Sequence, residues 1–196
     1  MDTNQTEYIP GPSQTKEKRS GFIRFIVDVI ETLILSVVLF VSINVISARI
    51  RVDGDSMEPT LISGEYVIVS RLSYRLGSPQ RGDIIVFHYP RNPQEEYIKR
   101  VIGLPGDQVE VKNGAVYVNG QRLLESYLSV KTNYLGTWSV SSGQLFVLGD
   151  NRNNSSDSHD WGTVPMDYVI GKAVLVYWPP PDWGLVDHVS LANAAR

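Results

Sequence analysis

The sequence predicts a mainly β protein: a single N-terminal transmembrane helix followed by an antiparallel β-sheet or barrel-like domain. Three observations predict it. An uncharged apolar run extends from Thr32 to Ala48. Behind Arg51, apolar and polar residues alternate with period two, as in half-buried strands. Asn113-Gly114 and Asn119-Gly120 punctuate those runs, and Asn-Gly supplies the positive φ values that two-residue hairpin turns require.

The bulk numbers narrow the class. Of 196 residues, roughly 150 remain once tail and anchor are set aside, enough for one domain. Cysteine is absent, which excludes disulfides, a thiol nucleophile and cysteine metal sites. A net charge of -3 with scattered basic residues gives no footprint for nucleic acid.

Residues 1–21 are polar, with Pro10, Gly11, Pro12 and a Lys/Arg cluster at 16–19, and read as a flexible cytoplasmic tail. The anchor is expected over 22–48. Phe22, Phe25, Ile26, Val29, Ile30 and Leu33 recur at helical spacing, with Arg24, Asp28 and Glu31 between them. At about 1.5 Å per residue the run from Thr32 to Ala48 covers roughly 26 Å, close to the lower limit for a hydrocarbon core. Its apolar residues occupy every face, which argues against a soluble core helix. The run is also longer than the apolar stretch of a cleavable leader. Lys16, Lys18, Arg19 and Arg24 precede it and Arg49 and Arg51 follow, a bias that puts the N-terminus inside.

Residues 49–181 form the extracytoplasmic β domain. Strands are expected at 66–70, 83–89, 97–104, 108–112, 115–118, 144–148 and 168–178, with a short inserted hairpin region around 108–143. The triple proline at 179–181 ends the domain, and 182–196 reads as a mobile C-terminal tail.

Three stretches offer chemistry. The first, G-D-S-M-E-P-T-L at 54–61, places Ser56 in a tight turn with free backbone N–H groups nearby. A serine hydroxyl is a weak nucleophile until a base adjoins it, and taken alone G-D-S is more often just a turn. The second, Y-I-K-R-V-I-G-L-P-G-D at 97–107, puts Lys99 on a strand face with Tyr97 and Val101. Desolvation there lowers a lysine pKa and frees a neutral amine for general-base work. The alternative is a snorkelling surface lysine. The third, L-G-D-N-R-N-N-S-S-D-S-H-D-W-G at 148–162, is dense in short polar side chains. A surface loop, a calcium loop built on Asp150, Asp157 and Asp160, and a Ser-His-Asp triad with His159 as base all remain open. His88, on a strand, and His188, in the tail, are weaker candidates for that base.

In order, S-M-E-P-T-L, R-G-D-I-I-V-F at 81–87, the lysine stretch and G-D-N-R-N-N-S-S-D-S resemble the bacterial type I signal peptidases (leader peptidases), a Ser-Lys dyad serine protease family. The likeness runs from Glu31 to Pro179. It implies the family's β fold and a membrane-bound endopeptidase that removes signal peptides from exported preproteins. It implies Ser56 as nucleophile, Lys99 as general base and Ser155 as the hydroxyl that orients the lysine. It implies Asp150 with Arg100 as a structural ion pair, Asp157 as a supporting acid, and the Ser56 N–H as oxyanion donor. Val52, Met57, Leu61, Tyr97 and Ile98 fall where the family's small substrate pockets are lined.

The resemblance further implies preproteins with small residues at the first and third positions before the cut, a lipid bilayer, and translocation machinery nearby. It implies no cofactor, no metal and no nucleic acid. The location implied is a cell membrane crossed once, with a thylakoid membrane also suited. Two departures stand out. Gly54 replaces a hydroxyl that serves as a second oxyanion donor in part of the family, and His159 stands where the motif commonly carries arginine. A self-cleaving Ser-Lys repressor-type protease would need a DNA-binding domain in place of the anchor. A non-catalytic tethered β module would not require both Ser56 and Lys99.

Overall fold

The computed structural model describes residues 15–128 and 130–189. It divides into two compact units, one ending at Asn44 and one beginning at Val45.

Helix α1 (Thr15–Ile46) is 32 residues long. Its segment Gly21–Ile46 is long and apolar enough to cross a membrane, and every residue of that segment is exposed. Thr32, Ser36, Ser42 and Asn44 donate their side-chain hydrogens to carbonyls four residues earlier, at 2.7 to 2.9 Å. In lipid no other partner would be available, so these bonds keep the polar residues compatible with the run. The helix starts earlier than expected, since 15–20 already have helical backbone. Lys, Glu and Arg in that stretch are good helix formers. It also ends before Ala48. Ser47 pairs with Ser70 as a strand, and the Ile46 carbonyl accepts from the Arg71 N–H at 2.9 Å.

The second unit is mainly antiparallel β. Its strands are β1 (Ser47–Arg51), β2 (Tyr66–Ser70), β3 (Ile84–Tyr89), β4 (Asn92–Gly103), β5 (Gln108–Lys112), β6 (Ala115–Val118), β7 (Gln121–Arg122), β8 (Gly136–Ser139), β9 (Gln144–Leu148), β10 (Val164–Pro165), β11 (Val169–Trp178) and β12 (Gly184–Leu185). Two one-turn helices, α2 (Ser73–Leu76) and α3 (Ser158–Trp161), interrupt them. The larger sheet runs β1-β2-β11-β3-β4-β9-β10, with β12 on β11. The smaller runs β7-β6-β5-β8. Asn113 and Gly114 have φ of 52° and 75°, and Asn119 and Gly120 have 52° and 78°, so both Asn-Gly pairs turn hairpins as their composition requires.

Each apolar stripe goes to its own cluster. Val52, Met57, Leu61, Val67, Ile84, Val86 and Ile98 pack together between β1, β2, β3 and β4. Ile85, Phe87, Val101, Leu145 and Trp161 form a second cluster on the other face. The small sheet closes a third with Ile102 and Phe146.

Strand β4 begins five residues before the expected start. Its first half pairs with β3 alone, and β9 joins only from Arg100. Pro93 is tolerated there because an edge needs no N–H in that direction. The expected C-terminal tail is docked as far as it is described. Val186 is 6% exposed, and β12 pairs with β11. The first fourteen residues and Ser190–Arg196 lie outside the described residues.

Candidate active site

Ser56 sits in the connection between β1 and β2. Gly54, with φ of 86°, turns the chain there. The Glu58 N–H donates to the Asp55 carbonyl at 3.2 Å, and the Leu61 N–H to the Met57 carbonyl at 3.0 Å. Met57 and Leu61, 0% and 1% exposed, pin the turn into the core and leave Ser56 half-buried above it. Asn151 braces it from outside. Its N–H donates to the Ser56 carbonyl at 3.0 Å and its side-chain amide to the Asp55 carbonyl at 3.0 Å. Among the described residues the Ser56 N–H meets no acceptor.

Lys99 enters from β4, paired across to Ile85. Its Nζ lies 2.8 Å from Ser56 Oγ and 3.0 Å from the Ile98 carbonyl oxygen. The Tyr97 ring centroid is 5.4 Å away. Lys99 is 5% exposed. Burial pushes the ammonium down to about 8, against the opposing pull of Asp157 and Asp150.

The next residue faces the opposite way and is fully paired. Arg100 donates from Nε and Nη2 to Asp150 at 2.8 and 2.7 Å, and from Nη1 to the Gly82 carbonyl at 2.9 Å. Both side chains are 0% exposed. Thr60 adds its hydroxyl to Asp150 at 2.6 Å, tying the end of the serine turn to this pair.

The polar loop after β9 closes the site. Asp157, 0% exposed, accepts from the Gly149 N–H at 2.9 Å and meets His159 Nδ1 at 2.7 Å. A Cβ on Gly149 would collide with Ser155 Oγ and the Ser56 carbonyl, so only glycine lets the loop lie against the serine turn. Ser155 Oγ is buried there without a hydrogen-bond partner. It does not bond Lys99, whose contacts are Ser56 and Ile98.

His159 does not serve Ser56. Its ring nitrogens meet Asp157 at 2.7 Å and Asp160 at 3.2 Å, and its ring stacks on Tyr134 at 4.0 Å. The hydrogen bond to Asp157 raises its pKa above the ordinary value, against burial. A calcium loop is also unsupported: Asp150 and Asp157 are engaged with protein donors. Among the described residues no group of three or more His, Asp or Glu is set to hold a metal.

An open cleft of about 800 Å³ runs along the free edges of β1 and β4 to the Ser56–Lys99 contact. Of the five residues expected to line pockets, Tyr97 and Ile98 reach it. Val52, Met57 and Leu61 do not; at 0–1% exposure they are core beneath its floor. The resemblance gave those three positions, and in this chain their side chains are covered by Val67, Ile84 and Val86. Val86, Asn154 and Ser156 line the cleft and were not anticipated.

Sequence reasoning also missed a second buried ion pair. Arg152, 0% exposed, donates to both Glu125 oxygens at 3.0 and 2.5 Å, to Tyr127 Oη at 2.9 Å and to the Gly149 carbonyl at 3.1 Å. Arginine inside the polar stretch at 148–162 was the available signal.

Comparison with known proteins places this geometry. The family model described as signal peptidase, peptidase S26, matches residues 25–178. A signal peptidase I from Leptolyngbya laminosa is 47% identical over 159 residues, 76% of this chain and 78% of that one. A probable signal peptidase I-2 from Synechocystis sp. is 44% identical over 163 residues, 80% and 75%. A probable signal peptidase I-1 from the same organism is 42% identical over 189 residues, 92% and 91%. A crystal structure of a signal peptidase I from Enterococcus faecalis V583 shares 40% identity, covering 48% of this chain and 96% of that one, with a TM-score of 0.45.

Proposed function

The chain belongs to the signal peptidase family, peptidase S26, and we propose that Ser56 and Lys99 carry its reaction as nucleophile and general base. It is a type I signal peptidase, a serine peptidase that cleaves signal peptides from preproteins. The observation that carries the assignment is the 2.8 Å contact between Ser56 Oγ and a buried lysine whose pKa is depressed to about 8.

The chemistry follows from that contact. Neutral Lys99 takes the Ser56 proton as Oγ attacks the scissile carbonyl carbon. The unpaired Ser56 N–H supports the developing oxyanion. The lysine ammonium then protonates the departing amine, leaving an ester on Ser56. Water, deprotonated by the same lysine, attacks the ester, and the lysine ammonium returns the proton to Ser56 Oγ as the C–O bond breaks and the carboxylic acid product leaves. Ser155, buried and unpartnered beside the Ser56 carbonyl, is suited to hold the ammonium between steps. Arg100 and Asp150 fix β4 against the serine turn, and Asp157 anchors the loop.

Preprotein binds as an extended strand along the free edge of β4, by strand addition. Ile98, Val86 and Tyr97 line the cleft together with Ser56 and Lys99, and their bulk favours small side chains at the first and third positions before the cut. The enzyme is membrane-anchored. Lys16, Lys18, Arg19 and Arg24, ahead of the uncharged apolar run, support a cytoplasmic N-terminus and an extracytoplasmic catalytic unit, in a plasma or thylakoid membrane near the translocation machinery. Tyr66, Trp178, Trp183 and Leu185 are 37 to 84% exposed, and Arg51, Tyr66 and Trp178 lie in register beside the cleft. That surface suits a lipid headgroup layer, where amphipathic aromatic rings are at home.

The test is preprotein cleavage by full-length Ser56→Ala and Lys99→Ala, each expected near background with unchanged circular dichroism. The double variant should lose little more, because the two groups act as one unit. A folded Lys99→Ala enzyme with normal turnover would refute the assignment.

A further inference from the structure

The segment after β12 is the part of the structure that no step of the reaction uses, yet it is heavily tied down. The Val186 N–H donates to the Val174 carbonyl at 3.1 Å. The Val186 side chain joins the cluster that holds Met57 and Leu61 under Ser56. The Asp187 carbonyl accepts from Arg100 Nη1 at 3.3 Å. His188 lies between two strands: its Nδ1 accepts the Ile84 N–H at 3.2 Å, and its Nε2 meets the Ala173 carbonyl at 2.7 Å. A ring nitrogen that accepts an N–H carries no proton, and one that faces a carbonyl must donate. The contacts therefore fix one form of His188, the neutral ring protonated at Nε2.

We propose that Gly184–Val189 is a strap that holds the floor of the nucleophile turn and the back of β4, with neutral His188 as its latch and hence as a positioning residue for the Ser56–Lys99 pair. The inference rests on the dyad reading above.

Protonating Nδ1 replaces an acceptor by a donor opposite the Ile84 N–H, and that bond is lost. The new charge has Lys172 on β11 and Arg100 on β4 for neighbours, both repulsive. Asp83 attracts it, with Oδ1 at 4.0 Å from Nδ1. Its oxygens already accept from Lys172 at 2.6 Å, Tyr74 at 2.9 Å and the Gln80 N–H at 3.0 Å. Burial first, then Lys172, hold His188 below its ordinary pKa of 6.5. The sign follows. A released strap binds the proton more readily than a docked one, so docking is at full strength above about 6.5. It weakens as pH falls from there towards the docked pKa.

The test uses the full-length enzyme in detergent micelles with a preprotein substrate, comparing wild type, His188→Gln and His188→Lys. A glutamine amide accepts from Ile84 and donates to Ala173 without titrating. Below the lysine pKa, log kcat/KM of the wild type should fall by about one decade per pH unit, and by more than that below pH 6. His188→Gln should match the wild type within about three-fold at pH 8 and keep the single-decade slope throughout. His188→Lys should lose at least ten-fold in kcat at pH 8 with KM little changed. Its Val186 amide should exchange hydrogen at least ten-fold faster than the wild type at the same pH. Identical low-pH slopes for wild type and His188→Gln, or full protection of Val186 in a folded His188→Lys, would overturn the latch. The exchange readout does not involve Lys99, so a failure of the dyad reading would leave it intact and distinguishable.

Discussion

The base role proposed for Lys99 requires that it be kept from water, and keeping it so destabilises the fold. In the folded chain its pKa is lowered from 10.5 to about 8 by burial. The unfolded chain therefore binds more protons between those values. The penalty is complete below about pH 8 and disappears as pH rises through 10.5. Lys99→Met, of similar length, should raise stability at pH 7 by up to about 3 kcal/mol while abolishing cleavage. Urea denaturation at pH 7 and at pH 10.5 measures this, and equal gains at both pH values would contradict it. His159 has the opposite sign. Its pKa is raised by Asp157, so its contribution is complete below 6.5 and is lost as pH rises through the folded value. With Lys99 as the proposed base and His159 turned to Asp157 and Asp160, His159→Ala should keep most of its activity at pH 8. A loss of several orders of magnitude in a folded variant would restore the Ser-His-Asp triad. The contact between Ser56 and Lys99 was foreseeable because each lies in a contiguous motif. Val52, Met57 and Leu61, which the resemblance set among the pocket positions, pack in the core cluster, and that burial depends on neighbours remote in sequence.

At the scale of elements, the two sheets are joined to the catalytic loop by buried charge. Arg152 links the loop after β9 to Glu125 and Tyr127 beyond β7. Its guanidinium is 0% exposed and the Glu125 side chain 7%. Removing one partner leaves the other charge buried alone, which costs about 3–5 kcal/mol. Arg152→Met should show that loss in denaturant titration, and Arg152→Met with Glu125→Leu should recover much of it. Double-variant stability no better than the single would mean that the pair is not the tether. Strands β2 to β6, β9 and β11 were legible from alternation and Asn-Gly turns, whereas the short β7, β8, β10 and β12 were not. Strand β1 was not, because Ser47 and Ala48 continue an apolar run that reads as helix until β2 captures it. The docked C-terminal segment was equally hidden, since His188 is held by an N–H of β3 and a carbonyl of β11, both remote in sequence.

At the scale of the molecule, the anchor and the catalytic unit divide the work. Ser56, Lys99 and the cleft beside them all belong to the unit that begins at Val45. Cutting at Asn44 keeps β1, whose Ala48 and Ile50 pack on the core under Ser56. Cutting after Arg51 removes that wall of the cleft and should abolish folding. The Val45–Arg196 fragment should therefore fold and cleave a soluble peptide at a rate close to the full chain. Preproteins are different, because their own apolar segment lies in lipid. Holding enzyme and substrate in one bilayer turns a three-dimensional search into a local one, with gains on the order of 10²–10⁴ for tethered encounters. In liposomes carrying one preprotein, the fragment should process it at least ten-fold more slowly than the full chain, and adding detergent should narrow the gap by dissolving the shared surface. Equal processing by both forms in intact liposomes would remove the anchor from the mechanism. A fragment slow on soluble peptide as well would show that α1 supports the catalytic unit directly.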